Sequence, residues 1–230
     1  MKTLTIANKN YSSWSLRPWV LLRELAIPFE ERILPFGEGS NFERFRAFSP
    51  SGLVPCLDDG GTIVWDSLAI AEYLAESHEG VWPADRVARA WARSAAAEMH
   101  SGFRALRERC SMNCGVRVRL SGVDEALRKD LERLAGLWDE GLSRHGGPFL
   151  AGARFTAVDA FFAPVAFRIQ TYGLEPGAAA LSYARRLLAL ASMQDWYREA
   201  LLETWRDEGH EDDIRRAGTI VSDLRHPPAG

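Results

Sequence analysis

Trp65-Asp66-Ser67-Leu68-Ala69-Ile70-Ala71-Glu72-Tyr73-Leu74 passes from a strand into a helix through an Asp-Ser pair. Upstream of it, 54–57 and 63–65 read as two strands around the turn Asp58-Asp59-Gly60-Gly61, and 67–76 reads as the helix that follows. Working outward, Leu4-Thr5-Ile6-Ala7 reads as a short strand, and a polar loop over 8–13 leads into 16–25, where apolar residues recur at helical spacing. Pro18 fits only the first turn of that helix, which places its start at Trp14 or Ser15, and Pro28 closes it. A strand over 29–34 and a short helix over 41–48 complete the region. The order βαβ, α, ββα predicts a mixed sheet covered by helices.

From residue 87 the pattern changes. The stretch 86–109 is rich in Ala, Arg and Glu with apolar residues at helical spacing, and further helices are expected over 123–144, 156–172, 178–190 and 194–207, with no strand required. An α/β half followed by an all-α half predicts two domains, 1–79 and 87–210, joined by a linker over 80–86 that contains Gly80 and Pro83. Residues 211–230 are expected to be a C-terminal tail, loose at His226-Pro227-Pro228-Ala229-Gly230.

The 230 residues, 47% hydrophobic and 26% charged, suffice for each half to bury a core. A net charge of −3 from nearly balanced acids and bases lacks the basic footprint of a nucleic-acid binder, so no nucleic acid is expected as a partner. Cys56, Cys110 and Cys114 are too few for a disulfide framework and fit a reducing, cytoplasmic setting. The N-terminus turns polar before a signal-peptide core could form, and no segment holds about 18 uninterrupted apolar residues, so no membrane span is expected. Cys110 and Cys114 have no companion spaced to complete a metal site, and no metal is expected. Cys56 reads as a small core residue, and Trp138, Trp196 and Trp205 read as core or interface residues.

Three local features carry chemistry. Asn10-Tyr11-Ser12-Ser13-Trp14-Ser15-Leu16-Arg17 runs into a helix N-terminus, whose unpaired N–H groups favour an anion such as a thiolate; a hydroxyl there could lower a thiol pKa, while plain N-capping would use the same residues. In Gly52-Leu53-Val54-Pro55-Cys56-Leu57 a proline opens a strand; a cis bond would leave the main chain of Val54 free to pair with a peptide, and an ordinary trans proline is the alternative. Asp66 and Ser67 could receive an α-ammonium and an α-carboxylate, or simply cap their helix.

Taken together, the Ser-rich loop, the Val-Pro and the Asp-Ser-Leu-Ala-Ile-Ala-Glu-Tyr-Leu run resemble, in order and spacing, the thioredoxin-like half of cytosolic glutathione transferases. Ser12-Ser13-Trp14-Ser15 is similar to the Ser-Ser-Cys-Ser segment of the zeta class, with Trp14 in place of cysteine. The resemblance implies a thioredoxin-like domain followed by an all-helical domain, in a cytoplasmic, homodimeric detoxification enzyme. Its partners would be glutathione, as co-substrate, and a small electrophile. It implies Ser12 as the thiol-activating hydroxyl, with Ser13 next and Tyr11 third. Val54 would be the backbone partner of the cysteinyl unit, Pro55 the cis-proline, and Asp66 with Ser67 the γ-glutamyl binders. Gly152-Ala153-Arg154-Phe155-Thr156-Ala157-Val158-Asp159-Ala160 extends the likeness; Thr156 and Asp159 have capping-box spacing and read as structural.

Two departures stand out: Trp14, and Leu53 where many relatives carry a donor for the glycyl carboxylate. Lys9, Arg44 and Arg46 are alternative sources of that charge, with surface solvation the commoner use. The second-substrate pocket is expected between the Ser12 loop and the helical half. Trp14 borders it, and His100, Phe103 and Arg107 share a helix face by i, i+3, i+7 spacing, able to receive an anionic group, the alternative being a partly exposed helix face with one core aromatic; Met112, Asn113 and Tyr172 are further candidates. The alternatives to a serine-type transferase are a zeta-type glutathione-dependent cis-trans isomerase and a non-catalytic binding module of the same fold, the latter kept open by Leu53.

Overall fold

The computed structural model describes residues 1–37 and 40–227. The first half holds β1 (Lys2–Ile6), α1 (Ser13–Glu24), β2 (Phe29–Ile33), α2 (Asn41–Arg46), β3 (Cys56–Asp59), β4 (Thr62–Trp65) and α3 (Ser67–Ala75). The sheet order is β2-β1-β3-β4, with β1 parallel to β2 and antiparallel to β3. Gly60 and Gly61, at φ 62° and 98°, take the left-handed positions that the tight β3–β4 turn demands and that side-chain-bearing residues resist. This is the thioredoxin-like arrangement expected.

The second half holds α4 (Arg86–Ser101), α5 (Arg104–Arg109), β5 (Val116–Leu120), α6 (Glu125–His145), α7 (Ala157–Tyr172), α8 (Ala178–Leu188), α9 (Ala191–Leu202), α10 (Glu208–Ala217) and β6 (Gly218–Asp223). Helix α7 is apolar all round and buried along nearly its whole length, as a central helix must be. It packs against α1, α4 and α8, so one core runs through both halves. Its start is fixed by the capping box: the Asp159 carboxylate accepts from the Thr156 N–H at 2.9 Å and, from outside the helix, from the Leu150 N–H at 3.0 Å and the Tyr183 hydroxyl at 2.7 Å.

Three expectations are corrected. The helix over 86–109 is broken: Gly102 is extended, Phe103 is left-handed at φ 53°, and a Cβ on Gly102 would meet the Glu98 carbonyl at 2.8 Å. Strands do occur in the helical half. β5 pairs antiparallel with β6, and the alternation Val116-Arg117-Val118-Arg119-Leu120 was a legible period-two signal. The tail expected over 211–230 instead forms most of α10 and all of β6; α10 escaped notice because Ile214 is its one buried apolar side chain. Pro228, Ala229 and Gly230 lie outside the described residues.

The loop after β1 is held by the helical half. The Glu203 carboxylate, just past α9, accepts from the Lys9 N–H at 2.6 Å and the Asn10 N–H at 3.1 Å. The Lys9 carbonyl accepts from the Trp196 indole at 2.9 Å, and the Asn10 carbonyl from the Cys114 N–H at 3.2 Å. Lys9 is therefore no surface charge. Its side chain is fully buried between the Trp19 and Trp196 rings and ion-paired to Glu31 at 2.7 Å and to Glu199. Trp138 is buried with Trp196, as expected of core residues, whereas Trp205 is exposed and lies outside the core.

Replacing Thr156 by Ala should cost about 1 kcal/mol of stability, read from the urea midpoint; an unshifted midpoint would contradict the capping role. Replacing Glu203 by Ala strands two buried loop N–H groups and should cost about 3 kcal/mol in the same assay, whereas a loss below 1 kcal/mol would show that the loop finds other partners.

Candidate functional site

A cavity of about 320 Å³ opens where the β1–α1 loop, the segment before β3 and the helical half meet. Tyr11, Ser12, Ser13, Trp14 and Val54 line it from the first half, and Arg107, Met112, Arg168 and His210 from the second. The N-terminus of α1 opens on it, presenting backbone N–H groups and a partial positive charge.

The three candidate hydroxyls differ in freedom. Ser12 caps α1: its oxygen accepts from the Ser15 N–H at 3.4 Å, and its hydroxyl donates to Ser15 Oγ at 2.7 Å. Ser15 Oγ in turn accepts from the Ala7 N–H at 3.2 Å, so this pair staples the loop to β1. Ser13 is half-buried, and its oxygen accepts from Arg168 at 3.4 Å, which leaves its own proton free to donate. Tyr11 is buried with its hydroxyl donated to Glu211 at 2.7 Å; burial and that carboxylate push its pKa far above the ordinary tyrosine value. Arg225 closes the cluster, reaching Glu211 at 3.0 Å and the Tyr11 oxygen at 3.2 Å, so α10 and the chain after β6 lock this side chain.

On the sheet side the Val54–Pro55 bond is cis, and β3 begins at Cys56, so the Val54 main chain lies outside both strand registers. Leu53 lines the cavity at 63% exposure and offers no donor. Arg44 and Arg46 do not replace it there: Arg44 bonds Asn41 at 3.3 Å and Arg46 bonds the Pro50 carbonyl. Asp66 and Ser67 sit at the start of α3, beyond the cavity lining. Asp66 caps α3, accepting from Leu68 at 2.7 Å and Ala69 at 3.4 Å, yet does so at φ 74°, a left-handed backbone that costs a non-glycine residue on the order of 1 kcal/mol. Ser67 is buried and accepts from Arg17 at 3.5 Å.

The expected pocket face is only partly assembled. Trp14, Arg107 and Met112 line the cavity. His100, Phe103, Asn113 and Tyr172 do not, because the break after Ser101 turns Phe103 into the core against Phe162, and Asn113 is consumed by Gly115 and Glu211. The Tyr172 hydroxyl donates to the Ser111 carbonyl at 2.7 Å, fixing the strip that carries Ser111 and Met112. His100 lies edge-on to Trp14, its Nε2 3.4 Å from Asp66, and burial lowers its pKa.

Sequence reasoning missed Arg17, Arg168 and His210. Arg17 and Arg107 flank the Trp14 ring, their guanidinium carbons 4.2 Å and 4.5 Å from its centroid. Burial, then the fields of Arg107 and Arg168, bring Arg17 down to about 9. His210 stacks on Tyr11 and on Phe36 and is held by Asp207 at 2.6 Å. A lone Arg within an apolar run, as at 168, was the available signal. Cys56, Cys110 and Cys114 are buried free thiols, and no metal-holding group occurs among the described residues. None of the described helices is long and apolar enough to cross a membrane.

Residues 11–77 match the family described as glutathione S-transferase, N-terminal domain. A glutathione S-transferase-like protein, OpS6, of Beauveria bassiana is 29% identical over 163 residues, covering 64% of this chain and 72% of that protein. Glutathione S-transferase GstB of Escherichia coli is 35% identical over 78 residues, 33% of this chain and 38% of that relative, so the match spans well under half of GstB. Among solved structures, a glutathione transferase homolog from Burkholderia gl BGR1 with bound glutathione is 26% identical with a TM-score of 0.65, covering 86% of this chain and 97% of that one. These likenesses support a glutathione S-transferase family. Residues 11–77 thus match a glutathione S-transferase N-terminal domain, and with the helical half behind them the chain has the glutathione transferase fold.

Proposed function

We propose that this chain is a glutathione transferase that stabilises the glutathione thiolate at the N-terminus of α1 and directs it at a small electrophile. The observation that carries the reading is a free hydroxyl, Ser13, at that N-terminus in a cavity shared by both halves. Glutathione would lie with its cysteinyl unit along the Val54 main chain and its γ-glutamyl end at Asp66 and Ser67, where Arg17 adds a positive charge. The thiol would release its proton to water, the sulfur lone pair would form the new bond to carbon, and the leaving group would depart with its bonding electrons. Arg168, donating to Ser13, polarises the hydroxyl that would hold the sulfur. This shifts the choice from Ser12 to Ser13, since the Ser12 proton is spent on Ser15. The family resemblance adds a cytoplasmic homodimer to the reading.

One feature favours a second reading, a binding module without efficient catalysis: Leu53 leaves the glycyl end without a donor. Titrating the thiol of bound glutathione by its thiolate absorbance separates the two. The wild-type chain should hold that pKa well below the free value, and Ser13→Ala should raise it by about one unit or more, as expected for losing a hydrogen bond to a charged group. Turnover of a neutral aryl chloride should fall with it, by about tenfold. An unshifted thiol in the wild-type chain would remove the catalytic reading, and a rise in Ser12→Ala alone would return the role to Ser12.

A further inference from the structure

Two guanidinium groups face the cavity without a counter-charge. Arg168, on α7, is 5% exposed; it donates to the Cys110 carbonyl and to Ser13, and its Nε has no partner among the described residues. Arg107, on α5, donates to the carbonyls of the broken helix end, at 3.0 Å for His100 and 3.5 Å for Met99 and Gly102. All of these acceptors are neutral. Among the described residues no Asp or Glu lines the cavity, and the nearby acids are engaged elsewhere, Asp207 by His210 and Glu211 by Arg225 and Tyr11.

Holding a buried cation without a counter-charge is expensive, and the expense is recovered when an anion arrives. Burial pulls the Arg168 guanidinium down to about 10 and lowers Arg107 as well, and the two repel each other. A carboxylate between them would relieve both, because the planar fork of Arg matches its two oxygens. Beside the pair lie the Trp14 ring, Met112 and Phe36, a surface suited to an aromatic or apolar body.

We propose that the second ligand of this cavity is a small organic anion, its carboxylate held by Arg107 and Arg168 and its apolar body against Trp14 and Met112. The proposal rests on the reading that glutathione occupies the adjoining groove. Glutathione carries carboxylates of its own, but Arg168 bonds Ser13, the hydroxyl assigned to the sulfur, so the anion it receives lies beside the reacting centre and away from the ends of the tripeptide.

The test is calorimetry of the intact chain with dinitrobenzoate and its neutral amide, with and without glutathione, beside turnover of chlorodinitrobenzoate and chlorodinitrobenzene. Dinitrobenzoate should bind at least about tenfold more tightly than the amide. Arg107→Gln and Arg168→Gln should each cut that preference, and the kcat/KM ratio of the anionic over the neutral chloride, by about tenfold or more. Arg168→Gln removes a buried contact and must first pass a thermal melt; if it fails to fold, Arg107→Gln decides. Equal affinity for acid and amide overturns the proposal. So does a variant that loses glutathione affinity while keeping dinitrobenzoate, which would assign the arginines to the tripeptide. Absence of glutathione binding with dinitrobenzoate binding intact would sink the transferase reading and leave the anion site standing.

Discussion

The main chain of Lys9 and Asn10 has just left β1 and finds its partners in the other half of the molecule: Glu203 takes both N–H groups, Trp196 and Cys114 take the two carbonyls, and the Lys9 ammonium is enclosed by Trp19, Trp196, Glu31 and Glu199. A loop bonded in this way cannot move independently of α9. Since Tyr11, Ser12 and Ser13 follow directly, the position of every candidate hydroxyl is set by the docking of the two halves. The N-terminus of α1 thus opens on a cavity whose other wall is helical.

The same docking explains the charge distribution. Helix α7 is apolar enough to be central, yet carries Arg168 inward, where it reaches Ser13; the break at Gly102 brings Arg107 back over Trp14. With Arg17 also over the ring, two guanidiniums lie against one half-buried indole, and Asp66 is the carboxylate that acts on Arg17. Such an arrangement carries a desolvation cost that an anion would offset. The C-terminal segment completes the wall: α10 brings Glu211 to the Tyr11 hydroxyl across a separation of 200 residues and stacks His210 beside it.

Much of the fold was legible in the chain. The Gly60-Gly61 turn, the caps at Ser12 and Asp66, the Thr156/Asp159 box and the order of elements in the first half were readable from spacing, because each depends on contacts within a few residues. Of the site, Val54, Trp14, Arg107 and Met112 were placed on the cavity in advance, and His100, Phe103, Asn113 and Tyr172 were not brought there. For His100 and Phe103 the source is that residues 100, 103 and 107 share a face only if the helix is continuous, and the extended backbone at Gly102 ends that periodicity; Asn113 and Tyr172 are taken up by hydrogen bonds to Gly115, Glu211 and Ser111.

Local pattern reports caps, turns and apolar periods because those forces act between near neighbours in the chain, and it therefore carried the thioredoxin-like half and most of the helices. It is silent on which long-range partner a charge finds. Lys9 looks in sequence like any other surface cation, and Arg168 stands out only as a lone charge in an apolar run; they are buried because tryptophans, carbonyls and carboxylates from distant elements close around them. The β5–β6 ribbon pairs strands about a hundred residues apart within the helical half, and the clasp of Glu211 and Arg225 on Tyr11 exists only once the two halves have docked. The Ser12 hydroxyl is engaged by its own helix through Ser15, whereas the contact of Arg168 with Ser13 comes from that packing.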